Sequence, residues 1–384
     1  MARTEPTIPN RVYLATLLAA SMMAVALFLF SRSPERVEIW FTHGLSQDIN
    51  QLLGGMTGTV SFSIAEWVEG AAILWIFVAP LTVIRDVRSG MRTAREALWS
   101  GVLNGAALLA FVVIAFYGLW GLNYARAPAV ERLSWTAVDL REPGSGAELE
   151  ALAATLVTRV NGLYRTLHNS DDLGTLSTPS NRFDPLLDDG WRRAVAELGL
   201  HPSVAVPRGP AKPLLSSPLW SRLGIAGFYF PFTGEANYNR DQPQWQLTHT
   251  IAHEKAHQRG FASEDEANFF GFLACIYSDD DFVRYGGWLF AQRKILRALL
   301  DNHPEEAAAL IATRLPGVQR DVDEMHAFWA RYQGAGTTVG SAVNDAYLRA
   351  NRVEGGIKSY SLSTRLIVAW TRENPGILRD MDNL

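Results

Sequence analysis

The sequence predicts a mainly α protein with a small β element: three N-terminal transmembrane helices, then a mostly helical soluble domain. Three observations predict this class. Two long charge-free apolar runs lie in the first third. Charges become frequent and mixed in sign from about Pro128. The later chain carries helical apolar periods and one short aromatic stretch that reads as a strand. A length of 384 residues allows two or three domains. The net charge of −4, with no dense Lys/Arg run, gives no reason to expect nucleic acid as a partner. The single cysteine, Cys275, excludes an internal disulfide and a cysteine-rich metal knuckle.

The membrane part is expected over 1–127. Val12 to Phe30 runs 19 residues without a charge, and Ala97 to Ala125 runs 29. Crossing a bilayer takes about 20 apolar residues, so both qualify. Gly70 to Ile84 is shorter and contains Pro80. Arg85, Arg88, Arg92 and Arg95 all follow it. Cytoplasmic loops collect such residues, so that loop is placed inside. Three spans, about 12–30, 68–84 and 99–120, then leave everything after Ala125 outside the cytoplasm. With only two spans the four arginines would face outward. The first segment is read as an uncut anchor, because its apolar run exceeds the ~7–15 residues of a signal core. Val37 to Leu53 is amphipathic and is expected either along the membrane surface or packed on the spans.

The soluble part is expected over 128–384. Arg141 to Glu148 reads as a linker, and Glu148 to His168 as a helix with Leu149, Leu152, Leu156, Val160 and Leu163 on one stripe. Trp191 to Leu198 is expected to be a helix. His201 to Pro218 holds five prolines and is expected to be extended and irregular. "GIAGFYFPF", Gly224 to Phe232, reads as a strand kept at a sheet edge by Pro231, with Thr233 to Asn239 linking it to the next helix. Helices are expected at Tyr285 to Asp301, Pro304 to Arg314, Val318 to Tyr332 and Ser341 to Ala350.

The chemistry lies in "THTIAHEKAHQRGFASEDEANFFGFLAC", Thr248 to Cys275. His253-Glu254-Lys255-Ala256-His257 is an H-E-x-x-H. On a helix, residues four apart differ by about 40° in rotation and ~6 Å along the axis, so both imidazoles can reach one ion. Glu254 is rotated by about 100° and stands beside that ion. Zinc with two His, one further protein ligand and an open position lowers the pKa of its bound water to about 7. Glu254 then serves as general base. Gly260 is placed to stop the helix. Ser263-Glu264-Asp265-Glu266 has the form of a capping box that opens a second helix and folds it back toward the histidines. Glu266 is given the structural task of reaching back to Ser263. Glu264 is assigned as the third ligand, with Glu266 the alternative, and Asn268 as a group orienting a ligand from behind. His249 lies a turn too far for the same ion and is expected to be packed or hydrogen-bonded. Lys255 is expected to point to solvent. Tyr285, Arg284 and Tyr360 are candidate oxyanion partners by chemistry alone, with none of them singled out.

"HEKAHQRGFASEDEANF" resembles the core of an uncharacterised family of bacterial membrane proteins, a domain of unknown function whose members look like zincin metallopeptidases. The resemblance extends to "LWGLNYARAP", "GIAGFYFPFTGEANYN" and "VNDAYLRAN". Glu264 to Asn268 is similar to the E-x-x-A-D/N element of membrane-bound gluzincins, in which the first Glu is the zinc ligand. The resemblance implies a zincin-like soluble domain, Zn2+ as cofactor and a bacterial inner-membrane location. The function expected is a membrane-anchored zinc peptidase acting on an unidentified peptide or protein, with the lipid bilayer as the other partner. The alternative is a zinc-binding sensor or interaction domain without catalysis. Charged flanks at Arg240, Asp241, Lys255 and Arg259 argue against a site inside the bilayer.

Overall fold

The computed structural model describes residues 10–135, 145–168, 180–351, 362–374 and 376–380. Helix α1 (Asn10–Phe30) leads into α2 (Pro34–Arg36), a wide helical stretch at Val37–Leu45 and α3 (Ser46–Thr57). The stretch is broken at Gly44, whose φ and ψ are −116° and −105°. The chain bends by 104° between Ala15–Phe30 and Pro34–Thr57. Two helices then form a hairpin, α4 (Ile64–Arg88) and α5 (Ala94–Leu119). Ser63 caps the first, and a Thr93/Glu96 capping box opens the second. Both are long and apolar enough to cross a membrane, and a third span is counted only if the bent pair is one. Two of the three expected spans are thus found as single helices, and the N-terminal one as a bent pair. The middle candidate is the inner part of a 25-residue helix that tolerates Pro80.

Beyond α5 come α6 (Ala129–Arg132), α7 (Gly146–His168), α8 (Phe183–Glu197), strand β1 (Lys212–Pro213) and α9 (Ser217–Arg222). Strands β2 (Gly227–Phe230) and β3 (Glu235–Tyr238) precede α10 (Gln244–Gln258) and α11 (Glu264–Ile276). The remainder is helical: α12 (Asp281–Leu300), α13 (Pro304–Ile311), α14 (Pro316–Ala330), α15 (Ala335–Ala350), α16 (Leu362–Glu373) and α17 (Ile377–Asp380). Helix α11 is the centre of the core. Its Phe269, Phe270, Phe272 and Leu273 are buried, each contributing about 1.5–3 kcal/mol. The expected α7 stripe points into the same core at Leu149, Leu152, Leu156 and Val160.

The sheet has the order β1-β3-β2. β2 is an edge, antiparallel to β3 with Gly227 opposite Tyr238, as expected for the aromatic stretch. Pro231 falls in the turn after β2 rather than in the strand. Thr233 to Asn239 is not a linker: it contains β3, buried along its whole length. β3 pairs on both sides and is buried on both faces, so the polar Glu235 and Asn237 lie inside along with Ala236 and Tyr238.

The ends of the hairpin are locked to the chain that follows it. Glu235 accepts the Ile64 and Ala65 amides at 3.1 and 2.7 Å, completing the α4 N-terminus from a distant strand. Arg126 bridges Glu38, at 2.6 and 2.7 Å, to the Gly260 carbonyl at 2.6 Å.

Candidate metal centre

Helix α10 places His253, Glu254 and His257 on adjoining faces of its last turns. Gly260 follows with φ +85°, a conformation in which an L side chain is strained, and turns the chain back into α11. Glu264 is the first residue of α11, so the turn delivers its carboxylate to the histidines. The His253 and His257 Nε2 atoms are 3.1 Å apart. Glu264 Oε2 lies 3.2 Å from His253 Nε2, and its Oε1 lies 3.6 Å from His257 Nε2. Ligand atoms of His253, Glu254 and His257 also lie within 4.8 Å of one another, a group that could hold a metal ion. Two carboxylates and two imidazoles thus converge. Glu264 touches both imidazoles, and on that ground it is the better third donor.

The tautomer of His257 is fixed locally. Its Nδ1 is 2.7 Å from the Phe261 carbonyl, so Nδ1 carries the proton and Nε2 presents a lone pair. Glu254 is buried. Its Oε1 is packed so close to β2 that a Cβ on Gly227 would lie 2.7 Å from it. Glu254 Oε2 and His253 Nδ1 are buried with no hydrogen-bond partner among the described residues. An orphan carboxylate oxygen costs about 1–3 kcal/mol, a cost that a water or ligand beside Glu254 would offset. The donor set fits a divalent cation through the two imidazole Nε2 atoms and the Glu264 carboxylate, with the cation taking the place of any proton on Nε2.

Electrostatics follow from burial and crowding. Burial pushes the Glu254 carboxyl up to about 7, against the opposing pull of His253 and His257. Burial works the same way on Glu264, but the two histidines outweigh it and hold that carboxyl well below its usual range. Burial opposes charge on His257, and the Glu264 carboxylate beside it reverses the balance, lifting the imidazole to about 9. A proton and a cation compete for that one Nε2 lone pair.

A model of a protein family of unknown function matches residues 41–368. The chain belongs to the DUF3810 family. That match runs from the helical stretch before α3 into α16, and so includes the whole centre and its supports. No curated protein and no solved structure matches the chain. The family's description names no activity for this DUF3810 chain.

Three expectations about those side chains are corrected. Lys255 does not face solvent. It is fully buried, with Nζ 2.7 Å from Asp184 and 3.0 Å from Asp188 on α8, while Arg259 takes the same Asp188 at 2.7 Å. The acids face the far side of α10 and neutralise it, which is why a lysine is tolerated within the motif. The capping box is not formed either: Ser263 makes no side-chain cap bond. Glu266 instead accepts the Ala129 amide at 2.7 Å and pairs with Arg132. Glu266 is thus committed to Ala129 and Arg132, which leaves Glu264 as the acid that faces the histidines. Two of the chemical candidates for an oxyanion partner are also engaged away from the centre. Tyr285 donates to Asp321, Arg284 pairs with Asp281, and Tyr360 lies outside the described residues.

Other placements agree with the sequence. His249 is stacked on Phe290 with ring centroids 3.6 Å apart, and its Nε2 is 3.1 Å from the Asn268 carbonyl. Asn268 is buried beside α10, but it meets His249 through its backbone carbonyl, and its side chain makes no hydrogen bond to His253, His257 or Glu264 among the described residues.

Sequence reasoning missed the groups arriving from afar. The Trp120 indole donates to the His257 carbonyl at 2.7 Å. The Tyr124 hydroxyl donates to that of Tyr347 at 3.2 Å. Burial raises both phenols, Tyr347 to about 12, and the Glu264 charge adds to the rise in each. "LWGLNYARAP" and "VNDAYLRAN" held the signal: they are the blocks that supply Trp120, Tyr124 and Tyr347.

Proposed function

We propose that this protein is a membrane-anchored zinc peptidase. In this reading His253, His257 and Glu264 hold the ion, Glu254 is the general base, and Asn268 supports the helix behind them. One observation carries the reading: two imidazole Nε2 atoms and one carboxylate converge with separations of 3.1, 3.2 and 3.6 Å. Tetrahedral zinc with bonds of about 2.0–2.1 Å needs its ligand atoms roughly 3.3 Å apart.

Zinc in such a donor set supplies Lewis acidity toward a peptide carbonyl and toward water. The chain's own residues do the rest. The partnerless Glu254 Oε2 takes the proton of the attacking water and returns it to the leaving amine. The edge strand β2, with Gly227 against Glu254, offers main-chain groups to an extended substrate beside the base. Arg85, Arg88, Arg92 and Arg95 flank the turn joining α4 and α5, and the centre sits beyond the opposite end of that hairpin. Arginine-rich loops stay in the cytoplasm, which supports a bacterial inner-membrane protein with the centre outside.

The test is hydrolysis of a broad peptide library by the purified full chain, wild type against Glu254→Gln. Cleavage lost in the variant, with its metal retained, supports the peptidase. A wild type that keeps a metal ion yet cuts nothing would leave only a metal-binding module.

A further inference from the structure

The candidate centre and the ends of the spanning helices are in direct contact. Trp120 is the residue after α5, and its ring stands edge-on to the His257 imidazole with centroids 6.0 Å apart. The start of α4 is tied to α9: Glu66 accepts the Leu215 and Ser216 amides, each at 2.8 Å. Since α4 and α5 form a hairpin, the start of one and the end of the other share one end. α15 reaches that end as well. The Tyr347 ring lies 6.2 Å from Phe116, and the Tyr117 hydroxyl donates to Asn351 at 3.1 Å.

Uncovered apolar side chains gather around this end. One face of α15 packs on α9: a Cβ at Gly340 would lie 2.1 Å from the Leu223 carbonyl oxygen, and Leu348 is buried. The adjoining face carries Val339, Val343 and Tyr347 at successive turns, exposed by 57, 65 and 39%. Residues 335–344 carry no charge. Leu215 and Leu219 at α9 and Leu52 and Met56 on α3 are more than half exposed too. Apolar faces of this kind mark contact sites, and these continue directly from the spanning helices.

We propose that α15, the Leu215–Leu219 turn and α3 rest in the lipid headgroup layer at that end of the hairpin. The centre then opens at the bilayer surface, and its substrates are polypeptides tethered to the same membrane. The lipid contact stands on the exposed faces alone; the substrate class rests on the peptidase reading.

The experiment uses the full chain, with Cys275→Ala, in phosphatidylethanolamine/phosphatidylglycerol vesicles. Nitroxide labels go at 219, 339 and 343, and at the exposed control positions Glu306 and Glu324. Collision with oxygen, which partitions into lipid, is compared with collision with a water-soluble nickel complex. The proposal expects oxygen to be favoured several-fold at 219, 339 and 343 relative to the controls. Nickel collision equal to the controls would overturn it. So would shielding from both reagents, which would mean a protein partner or a second copy. In the same vesicles, one peptide is offered lipid-anchored and free. Cleavage at least about tenfold faster for the anchored form is expected, and equal rates would remove the substrate class. If neither form is cut, the peptidase reading itself falls, while the collision data still decide the lipid contact.

Discussion

Replacing Lys255 by Met should destabilise the protein by about 3 kcal/mol. Lys255 is fully buried and its Nζ stands 2.7 and 3.0 Å from Asp184 and Asp188. Removing one partner of a buried pair costs about 3–5 kcal/mol, because the remaining charge is left uncompensated. The lower end applies here. Asp188 would keep Arg259 at 2.7 Å, and Asp184 would keep the Ala211 amide at 2.9 Å. At about 2 °C per kcal/mol for a large domain, the melting temperature of the detergent-solubilised chain should fall by about 6 °C. Adding Asp184→Asn removes the stranded charge. The double variant should therefore lose about 1–2 kcal/mol less than the sum of the single losses. A Lys255→Met shift under about 1 °C, or strict additivity in the double variant, would refute a buried lysine clamp behind the motif.

Further outcomes follow from neighbouring residues. Burial works to raise the Asp188 carboxyl, but Lys255 and Arg259 outweigh it and hold it below its ordinary 3.8. A depressed folded value means that its stabilising contribution is present above about pH 3.8 and is lost as pH falls through the folded value. Acid melts should therefore drop more steeply below pH 4 in wild type than in Asp188→Asn. Gly227→Ala should cut any peptidase rate far more than metal content, since the new Cβ meets both Glu254 Oε1 and the Asn237 carbonyl at 2.7 Å; equal losses in a rate and metal assay would contradict this. Gly260→Ala should cost about 1–2 kcal/mol, because φ +85° strains an L residue. An unchanged melting temperature would count against the tight α10–α11 turn.

Local chemistry was legible in the sequence, and long-range pairing was not. The H-E-x-x-H helix, the Gly260 stop and the delivery of Glu264 depend on residues within a dozen positions, where helical geometry decides the outcome. β3 was hidden because "EANY" is only four residues long, has no apolar run, and is buried on both faces, so that its polar residues lie inside. Lys255 was read as outward-facing because its partners lie about seventy residues upstream on α8. The Ser263/Glu266 pattern imitated a capping box. Its glutamate is instead taken by Ala129 and Arg132, well over a hundred residues away. Trp120 meets His257 only because α5 ends beside it, and Tyr347 joins Phe116 and Tyr124 there only because α15 reaches the same end.

Metal content tests the central claim most directly. The purified full chain should carry close to one equivalent of zinc per molecule by elemental analysis. His253→Ala, His257→Ala and Glu264→Gln should each carry far less, while Glu266→Gln, whose side chain serves Ala129 and Arg132, should keep it. Zinc absent from wild type, or unchanged in all three ligand variants, would contradict the account.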